Sequence, residues 1–431
     1  MSNGNDGIPA GFNEALMVGR PPNILKLFPN SKALIVSGKY IDRAMTTKGQ
    51  AMTIAANGRS QIIIRGVLAA AQRARAGVII EIAKSEGGRD AYCAVNYWNI
   101  ARQVDAIANE LGITVPVAIH ADHYGIKNDD ELEQAKTEIP TMFDAGITSI
   151  AIDASHQPDD HNLLANIAMK PYIPEWAGLE TEIGEIKGKE GLSSPDEAVF
   201  LVQGLNAHGI FPDWIALNNG TTHGIEASGQ GIDVELTMKI HQAISKYNVS
   251  GAQHGTSGNS SDRLRQIASK THTTKANVAT ALQMISWGLE VNDYGNAIQD
   301  SEKNFIKVKD QGLGEELWKD MLAYAGGKGI TGGNFKKLNL PFENKILSQP
   351  AEVRHRMAKR VEDFTYGLLV NVFNAKGTAD IVIDDILKSK SYHPGVKSSV
   401  MEKVEEWTRE SIVRKASLLA TNKGPEGDFD D

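Results

Sequence analysis

Residues 115–154, VPVAIHADHYGIKNDDELEQAKTEIPTMFDAGITSIAIDA, contain one complete strand–helix–strand unit of this chain. Apolar residues fill Val115–Ala121 and Ser149–Ala154 almost without interruption, as parallel strands that helices cover on both faces require. Between these two runs, apolar residues recur at helical spacing over Glu131–Asp144. Two parallel strands need such a crossover helix, so the stretch predicts a parallel sheet with helices outside it.

The same alternation continues on both sides of this unit, from about residue 50 to residue 300. The eight predicted strands are Ala51–Ala56, Gly77–Ile82, Val115–Ala121, Ser149–Ala154, Gly178–Ile183, Trp214–Asn218, Val249–His254 and Lys275–Thr280. The predicted helices between them include Ile62–Arg75, Trp98–Leu111, Glu131–Asp144, Glu197–His208 and Val234–Tyr247. About eight alternations predict a closed (β/α)8 TIM barrel of the α/β class. An open doubly wound sheet is the alternative, but no glycine-rich nucleotide turn follows the first strand.

The flanks of the barrel differ from it in pattern. We expect an N-terminal segment over residues 1–50, a catalytic barrel over residues 51–300, and a helical C-terminal extension over residues 301–431. The first segment is irregular in composition and is expected to hold a leading helix and a loop. The extension has predicted helices at Glu315–Ala325, Ala351–Phe373 and Lys397–Leu419. Its Gly- and Lys-rich stretch Ala325–Leu340 is expected to be a loop, and residues 424–431 a disordered tail.

Composition indicates the class of protein without indicating its chemistry. The chain has 431 residues, 41% of them hydrophobic and 23% charged, which is typical of a globular protein. A formal net charge of −8 argues against general nucleic-acid binding. The apolar runs are far shorter than the ~20 residues that span a bilayer, and no signal peptide is recognisable at the start. One cysteine, Cys93, allows no internal disulfide and fits a reducing cytoplasm.

Ionisable residues fall repeatedly where the predicted strands end. Such residues stand at the ends of strands three to seven: His120, Asp122, His123, Asp153, Glu180, Glu182, His223 and His254. A single histidine at a strand end is usually a hydrogen-bonded structural residue, and a single acid is usually satisfied by a neighbouring loop. A barrel, however, brings the carboxyl ends of all its strands to one mouth, where its chemistry takes place. Three imidazoles with one open coordination position are a known catalytic zinc arrangement.

A glycine-rich loop follows the seventh strand and reads HGTSG over residues 254–258. Glycines let backbone N–H groups approach a phosphate, and the hydroxyls add further hydrogen bonds. The sequence alone more often means a tight turn. Its position after the seventh strand, where barrels commonly bind phosphate, favours phosphate binding.

Five motifs in order resemble those of the class II, metal-dependent ketose-bisphosphate aldolases. They are HADH at residues 120–123, ETEIGEIKGKE at 180–190, NGTTHG at 219–224, HGTSG at 254–258 and KANV at 275–278. The resemblance covers roughly residues 50–300 and implies the same barrel. Fructose-bisphosphate aldolase, an enzyme of glycolysis and gluconeogenesis, is the activity that the resemblance suggests first.

The resemblance also implies roles for particular residues. His123, His223 and His254 would bind zinc, and Asp153 and Glu182 match a second divalent metal position; a monovalent cation is a further expectation. Asp122 and Glu190 would exchange protons with the substrate. The residues implied in binding its phosphates and hydroxyls are Gly224, Gly255, Thr256, Ser257, Asn277, Thr280 and Arg360. Arg360 would reach a neighbouring subunit, so the expected partners are a phosphorylated sugar and further copies of the chain in a homodimer or higher homo-oligomer.

Two departures from the family pattern bear on the substrate. Ala279 stands where many fructose-bisphosphate members have an acid, and alanine there is familiar from tagatose-bisphosphate aldolases. The second strand ends in Glu81-Ile82-Ala83-Lys84-Ser85, where the family usually has Gln-x-Ser. The alternative substrates are therefore tagatose bisphosphate or another ketose phosphate.

Three other functions compete with the metal-dependent aldolase. A barrel hydrolase would carry His-x-His on its first strand, and AMTIAA has no histidine. A Schiff-base aldolase would need a buried strand lysine, and Lys275 is predicted to stand at the start of its strand. A non-catalytic scaffold is disfavoured by the presence of Asp122, Glu190 and the three histidines.

Overall fold

The computed structural model describes residues 8–89, 91–184, 191–220, 231–256, 259–292, 295–301 and 304–419. Eight parallel strands close into a barrel in the order β1 to β8, each pairing with its neighbours in sequence and β8 pairing with β1. The strands are β1 Thr53–Asn57, β2 Val78–Ala83, β3 Val117–Gly125, β4 Ser149–Asp153, β5 Gly178–Ile183, β6 Trp214–Leu217, β7 Ser250–Gln253 and β8 Thr273–Val278. This confirms the predicted (β/α)8 barrel.

Helices cover the outside of the barrel and form both flanks. Before β1 lie α1 Phe12–Val18, α2 Pro22–Leu27 and α3 Gly38–Lys48. Within the barrel lie α4 Gln61–Ala74, α5 Lys84–Gly87, α6 Ile100–Leu111, α7 Asp129–Asp144, α8 Asp159–Met169, α9 Pro195–Ala207, α10 Val234–Ala243 and α11 Ser261–Lys270. After β8 lie α12 Thr280–Trp287, α13 Glu315–Lys328, α14 Asn339–Leu347, α15 Ala351–Gly367, α16 Thr378–Ser389 and α17 Arg409–Ala416.

Local sequence explains where several barrel helices begin. Ser194 accepts a hydrogen bond from the backbone of Glu197, and the Glu197 carboxylate accepts one from the backbone of Ser194. This reciprocal pair satisfies two backbone donors that the first turn of α9 would otherwise leave unpaired. Pro195 fits the first turn because its missing N–H is not needed there. The side chain of Ser60 caps α4 by accepting from the backbone N–H of Ile63.

The structure corrects four details of the predicted elements. Strand β8 begins at Thr273 and ends at Val278, so Lys275 is its third residue and Thr280 begins a helix. Helix α13 continues to Lys328, a 3₁₀ helix covers Gly332–Leu338 and α14 begins at Asn339, so the stretch predicted as a loop is largely helical. Residues 8–50 contain three helices in place of one.

The fourth correction concerns the predicted helix Lys397–Leu419. Only a 3₁₀ helix at Val404–Trp407 and α17 are helical there, because Lys397 and Ser398 bind other parts of the chain and Thr408 caps a new helix start. The predicted helix Ala351–Phe373 is confirmed as α15 with a π-helical turn at Leu368–Val372. The predicted disordered tail lies outside the described residues. Among the helices of the described segments, none is long and apolar enough to cross a membrane.

Candidate active site

The mouth of the barrel is built by the carboxyl ends of the strands, as predicted. In a strand, every second side chain points to the same face, so residues two apart share the barrel interior. His120 and Asp122 on β3, Glu180 and Glu182 on β5, and Lys275 and Asn277 on β8 are spaced in this way. The resulting polar cluster stands above a largely apolar core.

A backbone irregularity in β3 brings two adjacent residues to this mouth. The register of β3 against β4 shifts between Ala121 and Tyr124, and His123 has a φ of +41°. A regular strand would turn Asp122 and His123 to opposite faces. The bulge re-aims one of them, so that both side chains face the same cluster. Positive φ in a residue with a side chain costs energy, and such strain concentrates at functional sites.

His123 is surrounded by carboxylates. Its Nδ1 lies 3.2 Å from Glu182 Oε1 and 3.5 Å from Asp153 Oδ2. Although burial opposes a charge on the imidazole, Glu182 and Asp122 raise the pKa of His123 well above its usual value. Burial and the charge of Asp153 raise the pKa of Glu182 to about 7. Surroundings that stabilise a proton on His123 equally favour a metal cation at this place.

His254 packs against His123 and is oriented by a buried carboxylate. The two imidazole rings meet edge to face with their centroids 4.2 Å apart. Nε2 of His254 lies 2.8 Å from Oε1 of Glu180, and its Nδ1 has no hydrogen-bond partner among the described residues. A histidine that ligates a metal through one ring nitrogen commonly donates the other N–H to a carboxylate.

Asp122 is held by two side chains of β8. Asn277 Nδ2 lies 2.9 Å and 3.0 Å from the two carboxylate oxygens, and Lys275 Nζ lies 3.3 Å from Oδ1. Burial alone would raise the pKa of Asp122, but the positive charge of Lys275 and the neighbouring histidines hold it below its usual value. Asp122 is therefore ionised and fixed in direction, as a general base beside a reacting group should be.

The residues predicted to bind phosphate meet between the ends of β7 and β8. The Thr256 hydroxyl donates to the backbone carbonyl of Asn277. Gly255 has a φ of +59°, which its lack of a Cβ permits, and its carbonyl accepts from Asn259 at 2.9 Å. Thr280 begins α12.

Of the predicted residues, four cannot be placed and one lies away from this cluster. Glu190, His223, Gly224 and Ser257 lie outside the described residues. Arg360 lies on α15 and donates to the backbone carbonyls of Ile285 and Leu289, both at 3.1 Å. These contacts connect α15 with the end of α12, on the outside of the barrel.

The described donor atoms fit a divalent metal. One ligand atom from each of Asp122, His123 and His254 lies within 4.8 Å of the others, and so does the set from His123, Asp153 and Glu182. Imidazole and carboxylate are ligands that zinc accepts at about 2.0–2.2 Å. The buried Nδ1 of His254 needs a partner, and a metal at this place would supply one.

Four buried residues of the cluster were assigned no role in the predicted site. They are Glu81, His120, Glu180 and Lys275. His120 and Glu180 were noted at strand ends, and strand alternation was the signal that could have placed all four in the cluster, since each is two residues from another polar residue or interrupts an apolar strand. Lys275 in particular shares a face with Asn277. Its pKa is raised by Glu180, Glu81 and Asp122 against the effect of burial, so it stays protonated and is a poor Schiff-base nucleophile.

Comparison with known proteins gives the same family as the motifs. The family model described as fructose-bisphosphate aldolase class-II matches residues 40–323. A fructose-bisphosphate aldolase of Streptococcus pneumoniae is 29% identical over 259 residues, which cover 57% of this chain and 78% of that protein. A 6-phospho-5-dehydro-2-deoxy-D-gluconate aldolase of Bacillus subtilis is 31% identical over 201 residues, 44% of this chain and 61% of that protein.

Solved structures share the fold. The fructose-bisphosphate aldolase of Campylobacter jejuni aligns with a TM-score of 0.52 at 18% identity, covering 80% of this chain and 97% of that chain. The YdjI aldolase of Escherichia coli K12 aligns with a TM-score of 0.52 at 20% identity, covering 80% and 99%. At these identities, the likeness supports the barrel architecture alone.

Proposed function

This chain belongs to the class-II fructose-bisphosphate aldolase family, and we propose that it reversibly cleaves fructose 1,6-bisphosphate to dihydroxyacetone phosphate and glyceraldehyde 3-phosphate with a zinc ion. The observation that carries this proposal is the juxtaposition of Asp122, His123 and His254 at the mouth of the barrel. Two imidazoles and an ionised carboxylate next to each other supply metal ligands and a base in one place.

The metal would be held by His123, His254 and, outside the described residues, His223. When bound, zinc supplies a Lewis acid that draws electron density from the ketose oxygens and so eases cleavage of the neighbouring bond. Asp153 and Glu182 are proposed for a second divalent position, because both carboxylates approach Nδ1 of His123. A monovalent cation is a further proposal from the family resemblance.

The protons are assigned to two acids of this chain. The C3–C4 bond of the sugar breaks, its electron pair stays on C3, and the proton of the C4 hydroxyl goes to Asp122. Asn277 and Lys275 hold the Asp122 carboxylate in place for this transfer. Glu190 is proposed to deliver a proton to C3. Gly224, Gly255, Thr256, Ser257, Asn277 and Thr280 are proposed to surround the phosphate and hydroxyls, and Arg360 a second phosphate.

A second substrate class is favoured by Ala279 and by the relatives. Alanine replaces the acid of many fructose-bisphosphate members, and one relative named above is a 6-phospho-5-dehydro-2-deoxy-D-gluconate aldolase. Tagatose 1,6-bisphosphate or another ketose phosphate is therefore the alternative, and a non-catalytic barrel scaffold is the third. We also propose a cytoplasmic location, because the chain has a single cysteine. The family resemblance supports a homodimer or higher homo-oligomer.

A cleavage assay with matched sugars tests these alternatives. Purified protein is assayed with fructose 1,6-bisphosphate, tagatose 1,6-bisphosphate and 6-phospho-5-dehydro-2-deoxy-D-gluconate, before chelation, after chelation and after zinc is restored. We expect fructose bisphosphate to give the highest kcat/KM, loss of the activity on chelation and its return with zinc. Activity that survives complete chelation contradicts the metal mechanism. Faster cleavage of another sugar reassigns the substrate, and no cleavage by zinc-loaded protein favours the scaffold.

A further inference from the structure

Lys275 joins four strands at the centre of the barrel. Its side chain is fully buried, and its Nζ lies 2.8 Å from Glu180 Oε2, 3.2 Å from Glu81 Oε2 and 3.3 Å from Asp122 Oδ1. These carboxylates come from β5, β2 and β3. Burying an ammonium group costs several kcal/mol unless such partners surround it. Packing alone therefore does not explain a lysine at position 275.

The carboxylate of Glu180 connects Lys275 to His254. One oxygen accepts from Lys275, and the other lies 2.8 Å from Nε2 of His254. An ionised carboxylate can only accept hydrogen bonds, so Nε2 must carry the hydrogen. In the neutral imidazole the other ring nitrogen, Nδ1, then keeps its lone pair. This atom is buried, makes no hydrogen bond within the described chain and lies 4.0 Å from Glu182 Oε2. A neutral imidazole presenting Nδ1 is the form that can ligate a metal.

We propose that Lys275 is a positioning residue, which holds Asp122 directly and, through Glu180, selects the Nε2-protonated tautomer of His254. The part that concerns metal binding rests on the proposed function; the part that concerns the tautomer does not. A lysine that only balanced the buried negative charge would stabilise the fold and leave the tautomer unchanged.

The tautomer is the readout that separates these two roles. Histidine ¹⁵N chemical shifts are measured in the metal-free full chain at neutral pH for wild type, Lys275→Met and Glu180→Gln. We expect wild-type His254 to be protonated on Nε2 and both variants to show a mixture or the Nδ1-protonated form. Lys275→Met removes the cation that keeps Glu180 an acceptor, while Glu180→Gln replaces the acceptor by a group that can also donate.

Two further variants keep this test interpretable. Lys39→Met removes another buried lysine, which pairs with Asp213 at 3.7 Å near the opposite end of the barrel, and we expect it to leave His254 unchanged. If Lys275→Met does not fold, the double variant Glu81→Gln/Lys275→Met replaces it, because it removes one buried negative charge together with the lysine. We expect the same change in the His254 tautomer. An Nε2-protonated His254 in folded variants lacking Lys275 overturns the proposal.

Metal affinity and kinetics form the second readout. We expect the zinc dissociation constant to rise about 10–100-fold in Lys275→Met and Glu180→Gln, as for other groups that orient a ligating histidine. With saturating zinc, Lys275→Met should still lower kcat about 100-fold, because Asp122 loses one of the two side chains that hold it; KM should change little. Equal zinc affinity and kcat in wild type and Lys275→Met overturn the proposal. A wild-type chain with the expected tautomer but no cleavage activity refutes the proposed reaction and leaves the tautomer assignment standing.

Discussion

Asp122 and His123 are neighbours in the chain, and the bulge in β3 lets both side chains face the same polar cluster at the mouth of the barrel. The positive φ of His123 costs on the order of 1–3 kcal/mol, which the surrounding barrel must offset. Asn277 of β8, a strand that does not pair with β3, then fixes the Asp122 carboxylate across the barrel interior. At the scale of single residues, the site therefore depends on backbone geometry as much as on side-chain identity.

Replacing Asp122 by asparagine tests its assignment as the base. The amide keeps the shape of the side chain but cannot take the proton, so we expect kcat for cleavage to fall about 10²–10⁴-fold. Bound zinc, measured by metal analysis of the same sample, should remain. Asp130→Asn, an exposed position in the first turn of α7, is the matched control and should behave as wild type. An Asp122→Asn variant with wild-type kcat would rule out this role.

His241 gives the chain a pH-dependent stability outside the candidate site. Burial, with the neighbouring His272, lowers the pKa of His241 to about 3. In the unfolded chain its pKa is about 6.5, so below pH 6.5 the unfolded state binds the proton and the folded state does not. The free energy of unfolding should therefore fall as the pH drops from 6.5 towards 3, by up to about 1.4 kcal/mol per pH unit from this group.

Denaturant unfolding at pH 7.5, 6.5, 5.5 and 5.0 measures this effect. His241→Gln should lower stability at neutral pH, since His241 Nδ1 accepts from the backbone of His272 at 3.1 Å, and should show a shallower decline below pH 6.5. His161→Gln replaces an exposed histidine and should keep the wild-type decline. Parallel curves for wild type and His241→Gln would contradict the assignment.

At the scale of elements, one close contact helps to fix the helices after the barrel to the barrel. Helix α15 packs on α4, and Gly66 of α4 allows the approach. A Cβ added at Gly66 would lie 2.5 Å from the Ala358 carbonyl oxygen and 2.6 Å from Val361 Cβ. Backbone at this distance cannot give way as a flexible side chain could. The two helices must separate if residue 66 gains a side chain.

Gly66→Ala tests this contact. Alanine favours a helix by about 1 kcal/mol over glycine. We nevertheless expect the free energy of unfolding to fall by about 1–3 kcal/mol, because the added methyl group overpacks the contact. Gly326→Ala on α13 is the matched control, because a Cβ there meets nothing within 4 Å; it should stabilise by about 0.5–1 kcal/mol. Thermal and denaturant unfolding measure both. A stabilised Gly66→Ala variant would show that α15 does not depend on this close approach.

At the scale of the whole molecule, the chain after β8 returns to both ends of the barrel. Near the mouth, the backbone of Leu340 donates to the carbonyl of Tyr92 at 2.9 Å. At the N-terminal end, Lys397 donates to Asp42, to Ser250 Oγ at 2.8 Å and to the Asp213 carbonyl at 3.1 Å. Asp42 is fully buried on α3 and also accepts from Thr274 at 2.7 Å. The C-terminal segment thus ties α3 to the first residues of β7.

Lys397→Met tests this connection. It leaves the Asp42 carboxylate buried without its cation, and breaking a buried pair typically costs about 3–5 kcal/mol. Lys246→Met is the control, because its pair with Glu402 at 2.9 Å involves an exposed lysine and is worth at most about 1 kcal/mol. Denaturant unfolding compares the two. Equal losses in both variants would mean that Lys397 contributes no more than a surface ion pair.

The sequence by itself determined the barrel and the strand ends that form its candidate site. Apolar runs at regular spacing require helix-covered parallel strands. This pattern is local in the sequence, so it can be recognised without knowing which residues lie nearby in the folded protein. The flanking helices were harder to predict, because Lys397 and Ser398 bind distant residues that override a helical pattern. Glu190, His223, Gly224 and Ser257 lie outside the described residues, so their assignments stay predictions.

Only the tertiary structure decided which polar side chains of the barrel contact one another. Lys275 was predicted at the start of a strand and lies at its centre, between carboxylates from three other strands. The direction of the Asp122 carboxylate and the hydrogen bond from His254 to Glu180 depend on strand register and on the β3 bulge. These are contacts between residues that are 74 to 155 positions apart, and distances of that kind are set by how the barrel closes, which no local pattern encodes.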